Sequence, residues 1–256
     1  MIKATYVDHM GSDLSVANAA RVSFGKTSEM EENTWGPPTL KSKDAKLIKY
    51  LAKHKHISPF GHAFASFHIK APVFVARQLV KHKFLRWNEI SRRYVDDDPE
   101  FYQPDVWRGR SADKKQGSEG IIPLEHIDAY SFKHIKDYWR ETVGPDLGIG
   151  YEEGTHFPEF SMSQEVDYLQ SEETLSTYRS LLKAGVCPEQ ARMVLPQSTM
   201  TEWYWSGSLD AFADMCNLRC KPDTQAETRE VANQIDRIMI GLFPVAWDAL
   251  TEDADD

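Results

Sequence analysis

The stretch HAFASFHIKAPVFVARQLVKHKF, residues 62–84, changes its hydrophobic period within a few positions and so indicates how the chain folds. Apolar side chains occupy every second position at its start, namely Ala63, Ala65, Phe67 and Ile69. That period is typical of a strand with one buried face. Pro72 suits the first turn of a helix, where its missing N–H needs no partner. We therefore predict a strand at 62–71 and a helix at 73–84.

The rest of the chain mixes helical patterns, strand patterns and irregular stretches. Helices are predicted at residues 13–22, 44–54, 125–142, 172–184, 188–195 and 208–220, and along the apolar stripe of Val231, Ile235, Ile238 and Leu242. A second strand is predicted at 199–206, where side chains again alternate. Residues 96–125 and 143–170 show little periodicity. Because strands and helices do not follow a regular βαβ order, the predicted fold class is α+β.

Residues that end or cap helices, together with the composition, indicate the domain organisation. Gly185 is expected to end one helix and Ser208 to cap another, since glycine and serine favour these positions. We predict one domain over residues 1–250, with a long irregular insertion at about 96–170. The acidic tail TEDADD, residues 251–256, is expected to be disordered.

The overall charge of the chain is acidic. The formal net charge is −9 and the isoelectric point about 5.5, which argues against general nucleic-acid binding. The longest apolar runs fall short of the roughly 20 residues that cross a bilayer, and MIKATYVDHM does not resemble a signal peptide. Three cysteines, an odd number, are expected to be reduced thiols. These features predict a cytoplasmic protein that does not contact membranes.

Positive charge is concentrated in KHKFLRWNEISRRYV, residues 81–95, which carries five Lys or Arg side chains. In an acidic chain, such a local cluster suits a small anion such as a phosphate. Asn88, Glu89 and Ser91 add an amide, an acceptor and a hydroxyl, which suit a ligand with a sugar or base as well. The alternative is a solvated basic helix face.

The same stretch resembles the signature of the flavin-dependent thymidylate synthase (ThyX) family. That signature is R-H-R, a gap of seven residues and then Ser within N-E-x-S-x-R-Y. This chain has K-H-K at 81–83, a gap of seven and N-E-I-S-R-R-Y at 88–94. Five further segments resemble the family in family order: residues 11–24, 53–62, 68–78, 185–196 and 217–219. The resemblance covers most of the chain outside residues 96–170.

The resemblance implies an activity, a fold and an assembly. Members of this family are methyltransferases that bind FAD and convert dUMP to dTMP with NADPH and methylenetetrahydrofolate. They are homotetramers with a mixed sheet and packed helices, and their active sites are shared between subunits. The expected partner of this chain is therefore dUMP or a related pyrimidine nucleotide.

The resemblance also implies which residues bind the nucleotide. Arg219 matches the arginine that favours ionisation of the uracil at N3, and a permanently charged guanidinium suits that role. The expected dUMP contacts are Gln78, Lys81, Glu89, Ile90, Ser91, Arg92, Arg93 and Arg192. Without the resemblance, Arg192 would be interpreted as part of a structural ion pair. Ser91 is not expected to be a covalent nucleophile.

The expected FAD contacts depart from the family pattern. They are His56, Ser58, Lys81, His82, Lys83, Glu89, Ser208, Asp210 and Asp214, with Asp223 beyond them. Lys81 and Lys83 keep the charge of two family arginines but lose the bidentate fork. The family's Asn-x-Arg is Ser208-Leu209-Asp210 here, and an aspartate facing a phosphate would repel it. We therefore predict weaker or differently arranged FAD binding.

Two other functions stay open from the sequence alone. The divergent flavin segment is compatible with hydroxymethylation of dUMP or dCMP, or with a non-catalytic paralogue that binds a nucleotide or RNA. No metal site is predicted, because the histidines lack tight ligand spacing. The Trp203–Trp205 run is interpreted as core or subunit interface rather than as a stacking platform for nucleic acid.

Overall fold

The computed structural model describes residues 1–112, 118–122 and 162–251, and the chain falls into two units. Residues 1–91 with those from 197 onward form the first unit, and residues 92–196 form the second. The helix expected at 125–142 and the tail beyond Thr251 lie outside the described residues. Within the described residues, no helix is long and apolar enough to cross a membrane. The single-domain interpretation stays a prediction.

Four antiparallel strands form the main sheet of the first unit. They are β1 (Lys3–Met10), β2 (Phe64–Pro72), β3 (Leu85–Glu89) and β6 (Met200–Ser208), in the order β1-β2-β6-β3. The strand predicted at 62–71 is therefore confirmed as β2, and the one predicted at 199–206 as β6. All pairings among these four strands are antiparallel, so the expectation of a mixed sheet is wrong for the described strands.

One face of the sheet carries the core of the first unit. Phe67 lies opposite Trp205 and Ile69 opposite Trp203 in the register of β2 and β6, and all four side chains are buried. Trp87 of β3 stacks on Trp203, with ring centroids 4.3 Å apart. The two tryptophans are thus core residues, as the sequence indicates, and the alternation of β6 places Tyr204 on the opposite, more exposed face.

Six helices accompany this sheet. They are α1 (Asp13–Arg21), α2 (Ser42–Lys53), α3 (Val73–Leu79), α6 (Leu209–Arg219), α7 (Ala226–Leu242) and α8 (Pro244–Thr251). The predicted stripe of α7 is only partly right, because Val231 and Ile235 are fully buried whereas Ile238 and Leu242 are only half-buried. Ser208 stands at the N-cap of α6 but makes no capping hydrogen bond with its side chain.

Helix α3 ends five residues before the predicted boundary at Phe84. The chain turns after Leu79, and Phe84 has a φ of 64°, a left-handed conformation that a helix cannot contain. Strand β3, which the sequence analysis did not predict, starts at the next residue. A Cβ at Gly207 would lie 3.1 Å from the carbonyl oxygen of Phe84 and closer still to the Leu85 side chain. Glycine at 207 therefore lets β3 approach β6.

Two buried carboxylates join the helices of the first unit. Asp13 of α1 accepts hydrogen bonds from the backbone N–H groups of Val245 (3.0 Å) and Ala246 (2.9 Å), and so caps α8 from far away in the sequence. Asp44 of α2 accepts from Arg21 (2.7 Å) and from Ser28. Burial raises the pKa of Asp44, but the two hydrogen bonds together with the charges of Arg21 and Lys43 outweigh burial, and the pKa is lowered.

The second unit contains a short hairpin and a long helix. Its elements are β4 (Arg108–Arg110), β5 (Ser118–Ile121), α4 (Met162–Lys183) and α5 (Pro188–Ala191). Helix α4 starts ten residues earlier than predicted, within the segment expected to be irregular. Its end is predicted correctly, and Gly185 has the positive φ (85°) that favours glycine after a helix. Leu175, Tyr178 and Ala191 form the buried cluster of this unit.

Candidate active site

The turn between α3 and β3 carries the K-H-K signature. Lys81 and Lys83 are exposed, whereas His82 lies half-buried between them. The backbone N–H of His82 donates to the carbonyl of Leu79 at 3.1 Å, which ties the turn to the end of α3. The turn therefore points two cations outward and one imidazole inward.

His82 contacts Arg219, the last residue of α6. The guanidinium Nε donates a hydrogen bond to the imidazole Nε2 over 3.0 Å. Burial and the charge of Arg219 lower the pKa of His82 to about 4, so the ring is neutral at physiological pH. Burial also lowers the pKa of Arg219, but an arginine stays charged even so. The fold thus brings together two expected site residues that are 137 positions apart.

Gln78 is held at both ends of its amide. Its Nε2 donates to the side-chain carbonyl of Gln225, and its Oε1 accepts from the hydroxyl of Thr228 at 3.2 Å. Thr228 is fully buried in the first turns of α7. Gln225 and Thr228 were not predicted from the sequence, because neither lies in a motif that resembles the family.

Glu89 is fixed at the end of β3. Its carboxylate accepts from the Thr201 hydroxyl at 2.7 Å and from the Trp87 indole N–H at 3.1 Å. The next backbone N–H, of Ile90, donates to the carbonyl of Glu202 at 2.9 Å. Because Trp87 stacks on a buried tryptophan, the sheet core sets where this carboxylate lies. Neither Thr201 nor Trp87 was singled out from the sequence.

The first turns of α6 carry two carboxylates. Asp210 is half-buried, and its Oδ1 is buried without a hydrogen-bond partner among the described residues. Desolvation and the nearby Asp210 raise the pKa of Asp214, one turn further along. Two carboxylates that repel each other in this way also repel an anion placed beside them.

His56 and Ser58 lie after α2 and are exposed. The His56 ring stacks at 20° on Tyr50, with centroids 6.4 Å apart. Lys55, next to His56, has a φ of 56°, so the chain turns sharply at this position. These side chains have room to contact a ligand without a change in the fold.

The remaining expected nucleotide residues follow β3 or lie in the second unit. Ser91 ends the first unit and is half-buried. In the second unit, Arg92 donates to the carbonyl of Asp97, and the Arg93 guanidinium lies 5.0 Å from the Tyr94 ring centroid. Arg192 is exposed and its Nε donates to the carbonyl of Glu189 at 3.2 Å. That hydrogen bond is with a carbonyl group rather than with a carboxylate.

The residues expected to bind FAD differ in which part of the cofactor their side chains fit. Lys81 and Lys83 supply exposed charge that fits a diphosphate. Asp210 and Asp214 do not fit a phosphate, but their oxygens fit groups that donate hydrogen bonds, such as ribose hydroxyls or an adenine amine. Lys81 and Lys83 therefore fit the diphosphate of a flavin nucleotide, whereas the two carboxylates of α6 would weaken its binding. Among the described residues, no group of three or more His, Cys, Asp or Glu side chains could hold a metal ion.

Comparisons with known proteins agree with the signature. The family model described as "Thymidylate synthase complementing protein" matches residues 5–245. A flavin-dependent thymidylate synthase from Thermus thermophilus is 35% identical over 246 residues, which cover 96% of this chain and 74% of that protein. The enzyme of the same name from Thermosipho melanesiensis is 33% identical over 243 residues, covering 95% and 87% respectively.

Solved structures share the fold. A UMP/dUMP methylase, PolB from Streptomyces cacaoi, bound with 5-Br UMP, is 27% identical and superposes with a TM-score of 0.68, covering 98% of this chain and 94% of the other. The same methylase bound with 5-Br dUMP gives a TM-score of 0.70 at 27% identity, with coverage of 98% and 95%.

Proposed function

This chain belongs to the thymidylate synthase complementing protein family, and we propose that it catalyses the flavin-dependent reductive methylation of dUMP to dTMP. Methylenetetrahydrofolate would donate the one-carbon unit and NADPH the reducing equivalents. The observation that carries the proposal is the similarity of nearly the whole chain, 96% in one case, to enzymes with this named activity. The methylase fold of the structural neighbours supports a pyrimidine nucleotide as substrate.

The nucleotide would be held by the residues on both sides of the β3 terminus. Hydrogen bonds to Thr228 and Thr201 orient the amide of Gln78 and the carboxylate of Glu89. An amide and a carboxylate suit a ligand such as a nucleotide, which has both hydrogen-bond donors and acceptors. The proposed phosphate ligands are cationic or hydroxyl groups: Lys81, Ser91, Arg92, Arg93 and Arg192. The peptide group of Ile90 completes the proposed dUMP site.

Arg219 would act on the uracil ring. Its guanidinium stabilises negative charge at N3, and that charge makes the ring carbon that accepts the one-carbon unit more nucleophilic. A permanent cation suits this role, because stabilising the anion requires no proton transfer from the arginine. Arg219 is therefore the proposed catalytic residue, whereas Ser91 only binds.

The flavin would be held by His56, Ser58, Lys81, His82, Lys83, Glu89, Ser208, Asp210 and Asp214. Bound FAD supplies reducing equivalents to the methylene group. Lys81 and Lys83 would hold its phosphates by charge alone, and Asp210 and Asp214 would repel a phosphate placed beside them. Because lysines stand at 81 and 83 in place of two arginines of the family signature, we expect FAD binding to be weaker or differently arranged.

The assembly and the location are also proposals. We propose a homotetramer with active sites shared between subunits, and a cytoplasmic location. Hydroxymethylation and binding without catalysis are not favoured, because the relatives carry the name of the methylating enzyme.

Mass spectrometry of the nucleotide product tests the proposed function. The full chain is incubated with dUMP, FAD, NADPH and methylenetetrahydrofolate, and we expect a product in which a methyl group replaces a ring hydrogen, so that it is heavier than dUMP by one CH₂ unit. Omission of NADPH should abolish that product. A hydroxymethylated product that forms without NADPH would overturn the proposal, as would unchanged dUMP under saturating conditions. Parallel reactions with UMP and dCMP define the nucleotide specificity.

A further inference from the structure

The contact between His82 and Arg219 fixes the orientation of a guanidinium. In this contact the Nε–H of Arg219 donates a hydrogen bond to His82 over 3.0 Å, and the two terminal nitrogens of the guanidinium do not take part in that bond. His82 is itself tied to the turn by its backbone bond to Leu79 and is half-buried. One side of the guanidinium is therefore attached to the fold, and the other side can face a ligand.

We infer that His82 is a positioning residue for Arg219, holding the guanidinium towards the pyrimidine ring through a neutral imidazole that accepts at Nε2. This inference rests on the proposed role of Arg219 at N3 of dUMP. It assigns to His82 a role that is separate from contact with a flavin, because the acceptor atom is already used by the arginine.

The inference requires His82 to be an acceptor, and the surroundings favour that state. A protonated imidazole would present an N–H to the Arg219 N–H, and two donors do not form a hydrogen bond. Burial and the guanidinium charge lower the pKa of His82, so the neutral form predominates at physiological pH. Since Nε2 accepts, the ring proton lies on Nδ1.

Positioning matters here because arginine has a long and flexible side chain. If the guanidinium must find its orientation as charge develops on the ring, part of the stabilisation is lost to ordering the side chain. A bond that holds Nε in advance removes that loss. The effect should therefore appear in turnover more than in dUMP affinity.

The test compares two substitutions of His82 in flavin-saturated full-length protein. His82→Ala should lower kcat roughly 10- to 100-fold, the order expected for a misplaced catalytic group. His82→Gln should recover most of that loss, because the amide oxygen of glutamine can accept near the position of Nε2. Flavin absorbance checks saturation, and His9→Ala, which changes an exposed histidine of β1, is the matched control with unchanged kcat.

A double-mutant cycle with Arg219→Ala decides how His82 acts. If His82 acts through Arg219, His82→Ala should have almost no further effect on kcat in the Arg219→Ala background. Equal losses in both backgrounds would overturn the inference and leave the role of Arg219 intact. If Arg219→Ala itself kept full turnover, the proposed function of Arg219 would fail instead.

A spectroscopic readout separates positioning from a general loss of structure. With dUMP labelled with ¹⁵N at N3, the signal of the bound nucleotide follows ionisation at that atom. We expect ionisation of N3 to shift to higher pH in His82→Ala and to return towards the wild-type value in His82→Gln. Should His82→Ala not fold, His82→Asn replaces it, because the shorter amide cannot reach the guanidinium. An unchanged N3 titration in the variants would overturn the inference.

Discussion

The nucleotide and flavin residues of the first unit differ in how the fold holds them. Gln78, Glu89 and Arg219, the anchored group, each form hydrogen bonds with side chains from another element. The exposed group, His56, Ser58, Lys81 and Lys83, lies on turns where solvent reaches the side chains. The fold itself therefore orients the anchored group, whereas the exposed group can adjust its rotamers around a ligand.

This difference follows the chemistry expected of each set. Charge that develops during a reaction is stabilised best by groups that need no reorganisation, and the anchored group meets that condition. A cofactor that stays bound can order flexible lysines at a cost in side-chain entropy, which lowers its affinity. The carboxylates Asp210 and Asp214 add repulsion on the flavin side. We therefore expect substitutions in the anchored group to affect turnover or dUMP binding, and substitutions in the exposed group or of Asp210 to affect flavin binding.

The largest effect is expected from Arg219→Ala. Loss of the guanidinium should lower turnover by roughly 100- to 1000-fold, as for removal of one donor to a developing anion. The Kd for dUMP should change far less, because the charge that Arg219 stabilises develops during the reaction. Steady-state kinetics and equilibrium titration measure the two quantities.

Arg192→Ala supplies the contrast to Arg219→Ala. It should mainly weaken dUMP binding, since a phosphate ligand contributes equally before and during the reaction. Arg237→Ala, at an exposed position of α7, is the control and should change neither quantity. The same pure binding defect in Arg192→Ala and Arg219→Ala would mean that Arg219 is not the catalytic residue.

Thr201→Val should produce the next largest effect. It removes the buried donor to the Glu89 carboxylate while it keeps the size of the side chain. Loss of a hydrogen bond to a charged group costs about 1.5 kcal/mol or more, so dUMP affinity should fall about tenfold. Calorimetric titration with dUMP measures the change. Thr5→Val, which changes an exposed threonine of β1, is the control. Equal dUMP affinities of the two variants would show that dUMP binding does not depend on the hydrogen bond from Thr201 to Glu89.

Asp210→Asn should strengthen FAD binding by about fivefold, the effect of removing ~1 kcal/mol of repulsion between charges in a high dielectric. Fluorescence quenching of FAD measures the affinity. The raised pKa of Asp214 gives a second signature, since wild-type affinity should increase as the pH falls and that carboxylate loses its charge.

Asp248→Asn is the control for Asp210→Asn. It removes a surface carboxylate that pairs with Lys49 at 3.1 Å, and it should leave FAD affinity unchanged. Equal affinities of the wild type and Asp210→Asn would place the phosphates away from α6.

Phe84→Gly should have the smallest effect, and a stabilising one. The left-handed φ of Phe84 costs ~1–2 kcal/mol, and glycine removes this strain but costs ~0.5–1 kcal/mol of chain entropy, so the free energy of unfolding should rise by about 0.5 kcal/mol. Little burial is lost, because Phe84 is 82% exposed. Urea unfolding measures the change.

Phe24→Gly is the control for the strain argument. Phe24 is 78% exposed and lies in a 3₁₀ turn, outside the left-handed region. Glycine there should therefore only destabilise the chain. Destabilisation by both substitutions would mean that the Phe84 side chain supports the turn after α3.

Much of the fold could be predicted from local patterns. Strands β2 and β6 follow from alternation, because each has one buried face, and the amphipathic helices α1 and α2 follow from a period near 3.6. Gly185 marks the end of α4 correctly. Strand β3 was missed because the polar and charged residues between Lys83 and Ile90 look like the continuation of a basic helix. The partial burial of Trp87 depends on its stacking on Trp203, a contact between strands that the local sequence does not reveal.

The sequence by itself determined the family, through the signature at residues 81–94 and the segments around it, and the family model matches residues 5–245. It also identified Gln78, Glu89, His82 and Arg219 as candidates. Only the tertiary structure decided that His82 supports Arg219, that Thr201 holds Glu89, and that Asp13 caps a helix 232 residues away. The physical reason is that a hydrogen bond needs two groups within about 3 Å, and only folding brings such distant residues together.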